Sequence, residues 1–237
     1  MTKTVIPLCA VLFLACAAPK GANEPHREGA PNAIDSVRIV DQFVSSYLVV
    51  SGGDALLVDC GVDPTGGPIL DALEKRSLPR TAVKAIFLTH AHADHVGGCH
   101  LFPAAAIHSF VRPEEIAAAS PSPLHAKPIP LKDGEVVKIG SLGVRAYAVP
   151  GHTADSGAFS IGSVLYLGDG ATSDGTRLKA APWIFSGESK VRDEEKKNVA
   201  ALARLHARLV ADDVKVASLA FAHSPPALDR EALVRAE

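Results

Sequence analysis

The stretch Thr89-His90-Ala91-His92-Ala93-Asp94-His95-Val96-Gly97-Gly98 crowds three histidines and an aspartate into the six positions from 90 to 95, directly after the apolar run Ala85-Ile86-Phe87-Leu88. The apolar run is short, bounded and of β composition, so Lys84 to Leu88 reads as a buried strand that ends in the cluster. Several imidazoles and a carboxylate at one strand end are hard to satisfy by hydrogen bonds alone, because each buried polar group left without a partner costs free energy. A metal ion resolves that conflict. Imidazole nitrogen at about 2.0–2.1 Å and carboxylate oxygen at about 2.0–2.2 Å are the ligands zinc takes, and a position left to water makes such a site catalytic. The i, i+2 spacing of His90 and His92 lets both reach one ion from extended backbone, while Asp94 and His95, past the bend, face a second. Gly97 and Gly98 permit close backbone approach behind them.

Outward from the cluster, the chain reads as two similar halves. Val37 to Asp41, Tyr47 to Ser51 and Ala55 to Asp59 read as strands, with Ser51-Gly52-Gly53-Asp54 as a hairpin loop. Gly67 to Arg76 reads as a helix. Strands follow at about Glu135 to Lys138, Leu142 to Val149, Ser156 to Ile161 and Val164 to Leu167. A long helix is expected from about Glu194 to Val210, then a strand at Val216 to Ala222 and a last helix from about Pro226. Strands first and helices later, twice over, predict an α/β domain of two sheets packed face to face with helices outside.

Ligand-type residues fall where these strands end: Asp59, His90, His152, Asp169 and His223. Taken singly, Asp59 before Cys60-Gly61 and Asp169 before Gly170 also read as turn formers, and His152 or His223 as hydrogen-bonded loop histidines. Beside the cluster they read as further ligands.

Composition sets the outer limits. The 237 residues are 47% hydrophobic and 21% charged, enough for one sizeable core. A formal charge of -2 leaves no basic excess for a phosphate backbone, so no nucleic-acid partner is expected. Residues 1–18, with Lys3 ahead of an apolar stretch, have the layout of a secretory signal too short to span a membrane comfortably. Leu14-Ala15-Cys16 is similar to a bacterial lipobox, which would lipidate Cys16; Ala15-Cys16-Ala17 equally fits ordinary cleavage. Residues 19–33 read as a linker and 34–237 as the domain, exported to the periplasm or cell envelope. The domain keeps Cys60 and Cys99, a pair free to bond or to remain thiols. The oligomeric state is left open.

His90-Ala91-His92-Ala93-Asp94-His95 has the H-x-H-x-D-H pattern of the metallo-β-lactamase superfamily. The resemblance extends to Asp59 after an apolar strand, Gly151-His152-Thr153, Gly168-Asp169 and His223 at a late strand end, all in the family's order. It implies a four-layer αβ/βα sandwich and two zinc ions. His90, His92 and His152 would hold one, Asp94, His95 and His223 the other, with Asp169 bridging and Asp59 orienting a ligand from behind. It also implies that a hydroxide between the zinc ions attacks a carbonyl, with Asp94 moving its proton. The last motif, Ala222-His223-Ser224, and Gly170-Ala171 after Asp169 depart from many relatives and bear on pocket shape rather than ligands. The chain is most similar to the glyoxalase II-like branch, so a small ester, thioester or lactone is the expected substrate and a β-lactam the lesser reading. Tyr47 and Trp183 are candidate pocket residues. Two other readings stay open: a mononuclear iron oxygenase similar to persulfide dioxygenases, and a non-catalytic metal-binding lipoprotein.

Overall fold

A computed structural model describes residues 33–111, 124–181, 188–226 and 229–236. The expected signal with Cys16, and Trp183, lie outside the described residues.

The first sheet has six strands in sequence order. Strands β1 (Asp35–Asp41), β2 (Val44–Ser51) and β3 (Asp54–Val58) form an antiparallel meander, in which Gly52 (φ 61°) turns the tight β2–β3 hairpin. Helix α1 (Gly67–Glu74) then carries the chain over to β4 (Val83–Leu88), which lies parallel to β3. Past the one-turn helix α2 (Ala93–Val96), the short strands β5 (Ala106–Ser109) and β6 (Ile129–Pro130) continue the parallel half.

The second sheet is built from β7 (Val136–Ile139), β8 (Leu142–Ala148), β9 (Gly157–Ile161) and β10 (Val164–Gly168), an antiparallel meander. A small ribbon of β11 (Thr172–Ser173) and β12 (Leu178–Lys179) follows. The long helix α3 (Glu188–Ala211) returns the chain to β13 (Ser218–Phe221), parallel to β10 at the sheet edge.

Alternation along the strands sorts side chains into three buried layers. Leu56, Val58 and Phe87 meet Phe159, Ile161 and Tyr166 between the sheets. Their neighbours Leu57, Ile86 and Leu88 point the other way, onto Ile69 and Leu73 of α1. On the far side Leu165, Leu167 and Phe221 pack on Ala201, Leu202, Leu205 and Leu209, a helical stripe of α3. Because β3, β4, β10 and β13 are buried on both faces, their sequences run almost unbroken in apolar residues. The result is the four-layer αβ/βα sandwich the sequence led us to expect.

Some elements differ from that expectation. β5 and β6 were not foreseen, since four and two residues are too few to show a period. α3 starts earlier than Glu194, at Glu188. The expected C-terminal helix is, in the described residues, a 3-10 helix at Arg230–Arg235, capped by the Asp229 side chain accepting from Glu231 N. Cys60 and Cys99 are buried free thiols. Among the described residues no helix is long and apolar enough to cross a membrane.

Candidate metal centre

All the ligand-type residues emerge from C-terminal strand ends on one edge of the sandwich: Asp59 after β3, His90 and His92 after β4, Asp94 and His95 on α2, His152 after β8, Asp169 after β10 and His223 after β13. The two sheets are tied together at that edge. Gly157 N donates to Thr89 O at 2.8 Å, and Ser45 N donates to Ala222 O at 2.8 Å.

Two groups of donors result, His90–His92–His152–Asp169 and Asp94–His95–His223, and within each the ligand atoms lie within 4.8 Å of one another. In the first group His92 Nδ1 lies 2.8 Å from His90 Nε2 and 3.0 Å from His152 Nε2. In the second, His223 Nε2 lies 3.5 Å from Asp94 Oδ2, and His95 Nε2 lies 3.7 Å from the same oxygen. Asp169 stands between the groups with one oxygen on each. Its Oδ2 is 3.3 Å from His152 Nε2 and 3.8 Å from His90 Nε2, while its Oδ1 is 3.2 Å from His223 Nε2 and 3.3 Å from His95 Nε2.

The outer nitrogens are held by donors and acceptors that turn the inner ones to the centre. His152 Nδ1 donates to Ala181 O at 2.7 Å and His223 Nδ1 to Phe43 O at 3.0 Å. His95 Nδ1 donates to Asp59 Oδ2 at 2.8 Å, and Asp59 also accepts from Thr89 N and Thr89 Oγ1, both at 2.8 Å. His90 Nδ1 in turn donates to Thr89 Oγ1 at 3.1 Å. Asp59 takes this position in a left-handed backbone conformation (φ 59°), which aspartate tolerates better than most residues. Inner lone pairs with fixed outer hydrogens are the arrangement metal-binding histidines take.

A cation fits this donor set on the structure's own terms. His95 Nε2 and Asp169 Oδ1 are buried and neither makes a hydrogen bond of good geometry, although a buried polar atom ordinarily has a partner. Zinc accepts both atom types.

Electrostatics separates the two groups. Burial, reinforced by neighbouring histidines, holds His90 and His152 below the usual imidazole range and His92 down to about 4, so this trio is neutral at pH 7. His223 is pushed up to about 10 by the Asp169 and Asp94 carboxylates beside it. Burial pulls His95 down, but Asp59 and Asp169 outweigh it and raise His95. Burial likewise opposes ionisation of Asp94 and Asp169, yet the facing histidines keep both below the usual carboxylate range. Without a metal, protons on His95 and His223 balance the two carboxylates.

Glycines set the approach of the loops. A Cβ on Gly97 would stand 2.7 Å from Val62 O, and one on Gly98 2.9 Å from Cys60 O, so the turn after α2 rests on the backbone that follows Asp59. Gly168 has φ 53°, and its Cβ would come 2.6 Å from Thr89 Cβ. Gly168→Ala is therefore expected to destabilise the protein by about 2 kcal/mol, through overpacking and the left-handed backbone together. Urea unfolding against the wild type checks this.

Tyr47 is a correction. It is 4% exposed, packs edge-on against Tyr166 at 5.1 Å between the sheets, and its hydroxyl donates to Phe221 O at 2.7 Å. Its side chain thus braces the end of β13 and is no pocket residue, because alternation on β2 turns it inward. Thr89, which is no metal ligand, links Asp59 to His90, and the carbonyls of Phe43 and Ala181 leave no mark in side-chain identity. Beside His152 a cavity of about 550 Å³ opens between residues 150–154 and α3, with Lys196, Lys197 and Arg204 on its wall.

The family model described as Metallo-beta-lactamase superfamily matches residues 39–216. The chain belongs to the metallo-beta-lactamase superfamily. Among curated relatives, a hydroxyacylglutathione hydrolase of Rhodopseudomonas palustris (strain BisB18) is 36% identical over 123 residues, covering 52% of this chain and 41% of that one. An atrochrysone carboxyl ACP thioesterase of Emericella nidulans is 31% identical over 140 residues, covering 56% and 41%. The chain spans about half the length of the curated relatives it matches. A solved metallo-beta-lactamase family protein from Thermus thermophilus shares the fold, with a TM-score of 0.62 and 24% identity over 85% of this chain and 77% of that one.

Proposed function

We propose that the chain is a metal-dependent hydrolase that holds two zinc ions and cleaves a small ester, thioester or lactone, with a thioester as first choice. The observation that carries this reading is Asp169, whose two oxygens face two separate donor groups 3.2–3.3 Å away. His90, His92 and His152 would hold one ion, Asp94, His95 and His223 the other, with Asp169 shared. Bound there, zinc would supply the chemistry of hydrolysis at neutral pH, a water acidified to a pKa of about 7 and a polarised carbonyl.

The chain's own side chains supply the rest. The neutral first trio needs no proton removed before it binds a cation. Asp94, ionised and with its side chain 21% exposed against 9% for Asp169, is the carboxylate of the centre placed to pass a proton to solvent. Asp59 holds His95, and Ala181 O holds His152, so the centre does not have to reorganise as charge develops. The relatives named for hydroxyacylglutathione hydrolysis and for an ACP thioesterase support a thioester. To this proposal residues 1–18 add export, with Cys16 either removed or lipid-anchored.

Turnover of an S-hydroxyacylglutathione tests the reading. The expected result is hydrolysis that stops on chelation and returns with zinc. Hydrolysis that survives complete metal removal, or none in zinc-loaded protein across thioesters, esters and lactones, would overturn it.

The two groups should also differ in how pH governs zinc uptake. His223 and His95 carry protons at pH 7 when no metal is bound, so zinc must displace them. Because His223 holds its proton up to about pH 10, affinity at this group is expected to rise by about tenfold per pH unit between pH 7 and 9 on its account, and more steeply wherever His95 also gives up a proton. His90, His92 and His152 are already neutral in that window, and affinity there should stay flat. Zinc titration against a competing chelator at pH 7, 8 and 9 checks both slopes.

A further inference from the structure

Asn198 lies on α3, away from every motif that marks the centre, and is fully buried. Its Oδ1 accepts from Ala181 N at 3.2 Å. The carbonyl of the same Ala181 accepts from His152 Nδ1 at 2.7 Å. From the other side, a Cβ on Gly151 would come 2.5 Å from Asn198 Cα and 2.6 Å from Asn198 Nδ2, so the residue before His152 lies directly on this side chain. One amide therefore touches both things that aim the His152 ring: the backbone that carries it and the acceptor that holds its outer nitrogen.

The rest of the amide argues against a purely structural role. Asn198 Nδ2 is buried and makes no hydrogen bond among the described residues. Asparagine is a poor helix former, and the stripe on which it lies continues as Ala201, Leu202 and Leu205. Leucine there would suit helix and core better, so the feature that an asparagine supplies is the acceptor at Oδ1. The amide must face this way round, because Ala181 N–H needs an acceptor and Nδ2 is not one.

We propose that Asn198 is a positioning residue for the centre: through Ala181 it holds His152 as the Nδ1–H tautomer with Nε2 turned to His92 and Asp169. The inference rests on the reading that this group binds zinc. Metal-ligating histidines commonly depend on such outer partners, whose loss weakens metal binding by about 10- to 100-fold.

The test compares wild type with Asn198→Leu, which removes the acceptor, and Asn198→Asp, which keeps an oxygen there. Two readouts are used: zinc affinity by chelator competition, and the histidine side-chain nitrogen NMR spectrum of the metal-free protein, which reports the tautomer without any metal. The expected result is a cooperatively folded N198L whose zinc affinity at the group containing His152 weakens by about 10- to 100-fold and whose His152 no longer shows a single Nδ1–H form. N198D should restore affinity to within about threefold, since the partner of Ala181 N survives. Folded N198L with wild-type affinity and tautomer, or N198D as weak as N198L, would overturn the proposal. If N198L does not fold, Asn198→Ala removes the same acceptor without added bulk and takes its place. Wild type that binds no zinc would instead refute the metal reading, and the tautomer comparison would still decide the role of Asn198.

Discussion

Asp169→Ala is expected to leave a folded protein that has lost hydrolysis by at least on the order of a thousandfold, the scale of several kcal/mol of charge stabilisation. The reason is geometric. Among the described residues Asp169 is the one side chain with an oxygen facing each donor group, 3.3 Å from His152 Nε2 on one side and 3.2 Å from His223 Nε2 on the other. Removing it deprives both groups of a ligand and takes away the negative charge that keeps His223 and His95 raised. The zinc count should fall from two per chain to one or none, whereas the fold should persist, because Asp169 sits at a loop position outside the three apolar layers. Steady-state hydrolysis together with metal content checks the prediction. Asp169→Ala with near wild-type turnover would remove the basis for a shared carboxylate.

Asp59→Ala should act mainly on stability. Asp59 is 2% exposed and receives three hydrogen bonds, from Thr89 N, Thr89 Oγ1 and His95 Nδ1. Breaking a buried charged pair by deleting one partner typically costs about 3–5 kcal/mol, because the remaining donors are left in the core without an acceptor. The metal-free protein is expected to lose stability on that scale in urea unfolding at pH 7. The sign with pH follows from His95. Its folded pKa is raised, so the pair stabilises at and below neutral pH, and its contribution is lost as pH rises through the folded value. The difference between wild type and Asp59→Ala should therefore narrow in alkaline solution.

How much of this was legible in the sequence depends on where the chemistry sits. The seven side chains gathered at the centre were all readable, because each is a ligand-type residue at or shortly past the end of an apolar strand and four of them are compressed into one hexapeptide. The layers were readable too: strands buried on both faces leave unbroken apolar runs, and α3 shows its stripe at 201, 202, 205 and 209. Tyr47 is ambiguous in sequence, since an aromatic near a strand end looks the same whether its hydroxyl lines a pocket or, as here, reaches the carbonyl of Phe221. The acceptors for His152 and His223 are backbone carbonyls of Ala181 and Phe43, and side-chain identity carries no trace of them. Asn198 shows the same limit from another direction. In a helix of mixed composition its polarity reads as solvent exposure, and only the packing of α3 against residues 151 and 181 reveals a buried acceptor.

Whether the centre holds two zinc ions is decided by a metal count by mass spectrometry on protein purified without added metal and then equilibrated with zinc and desalted. Two zinc ions per chain are predicted, with about one remaining after the pH is lowered enough to keep His223 and His95 protonated against the metal. A single iron per chain that zinc does not displace, or a folded protein that retains no metal, would rule out a two-zinc centre.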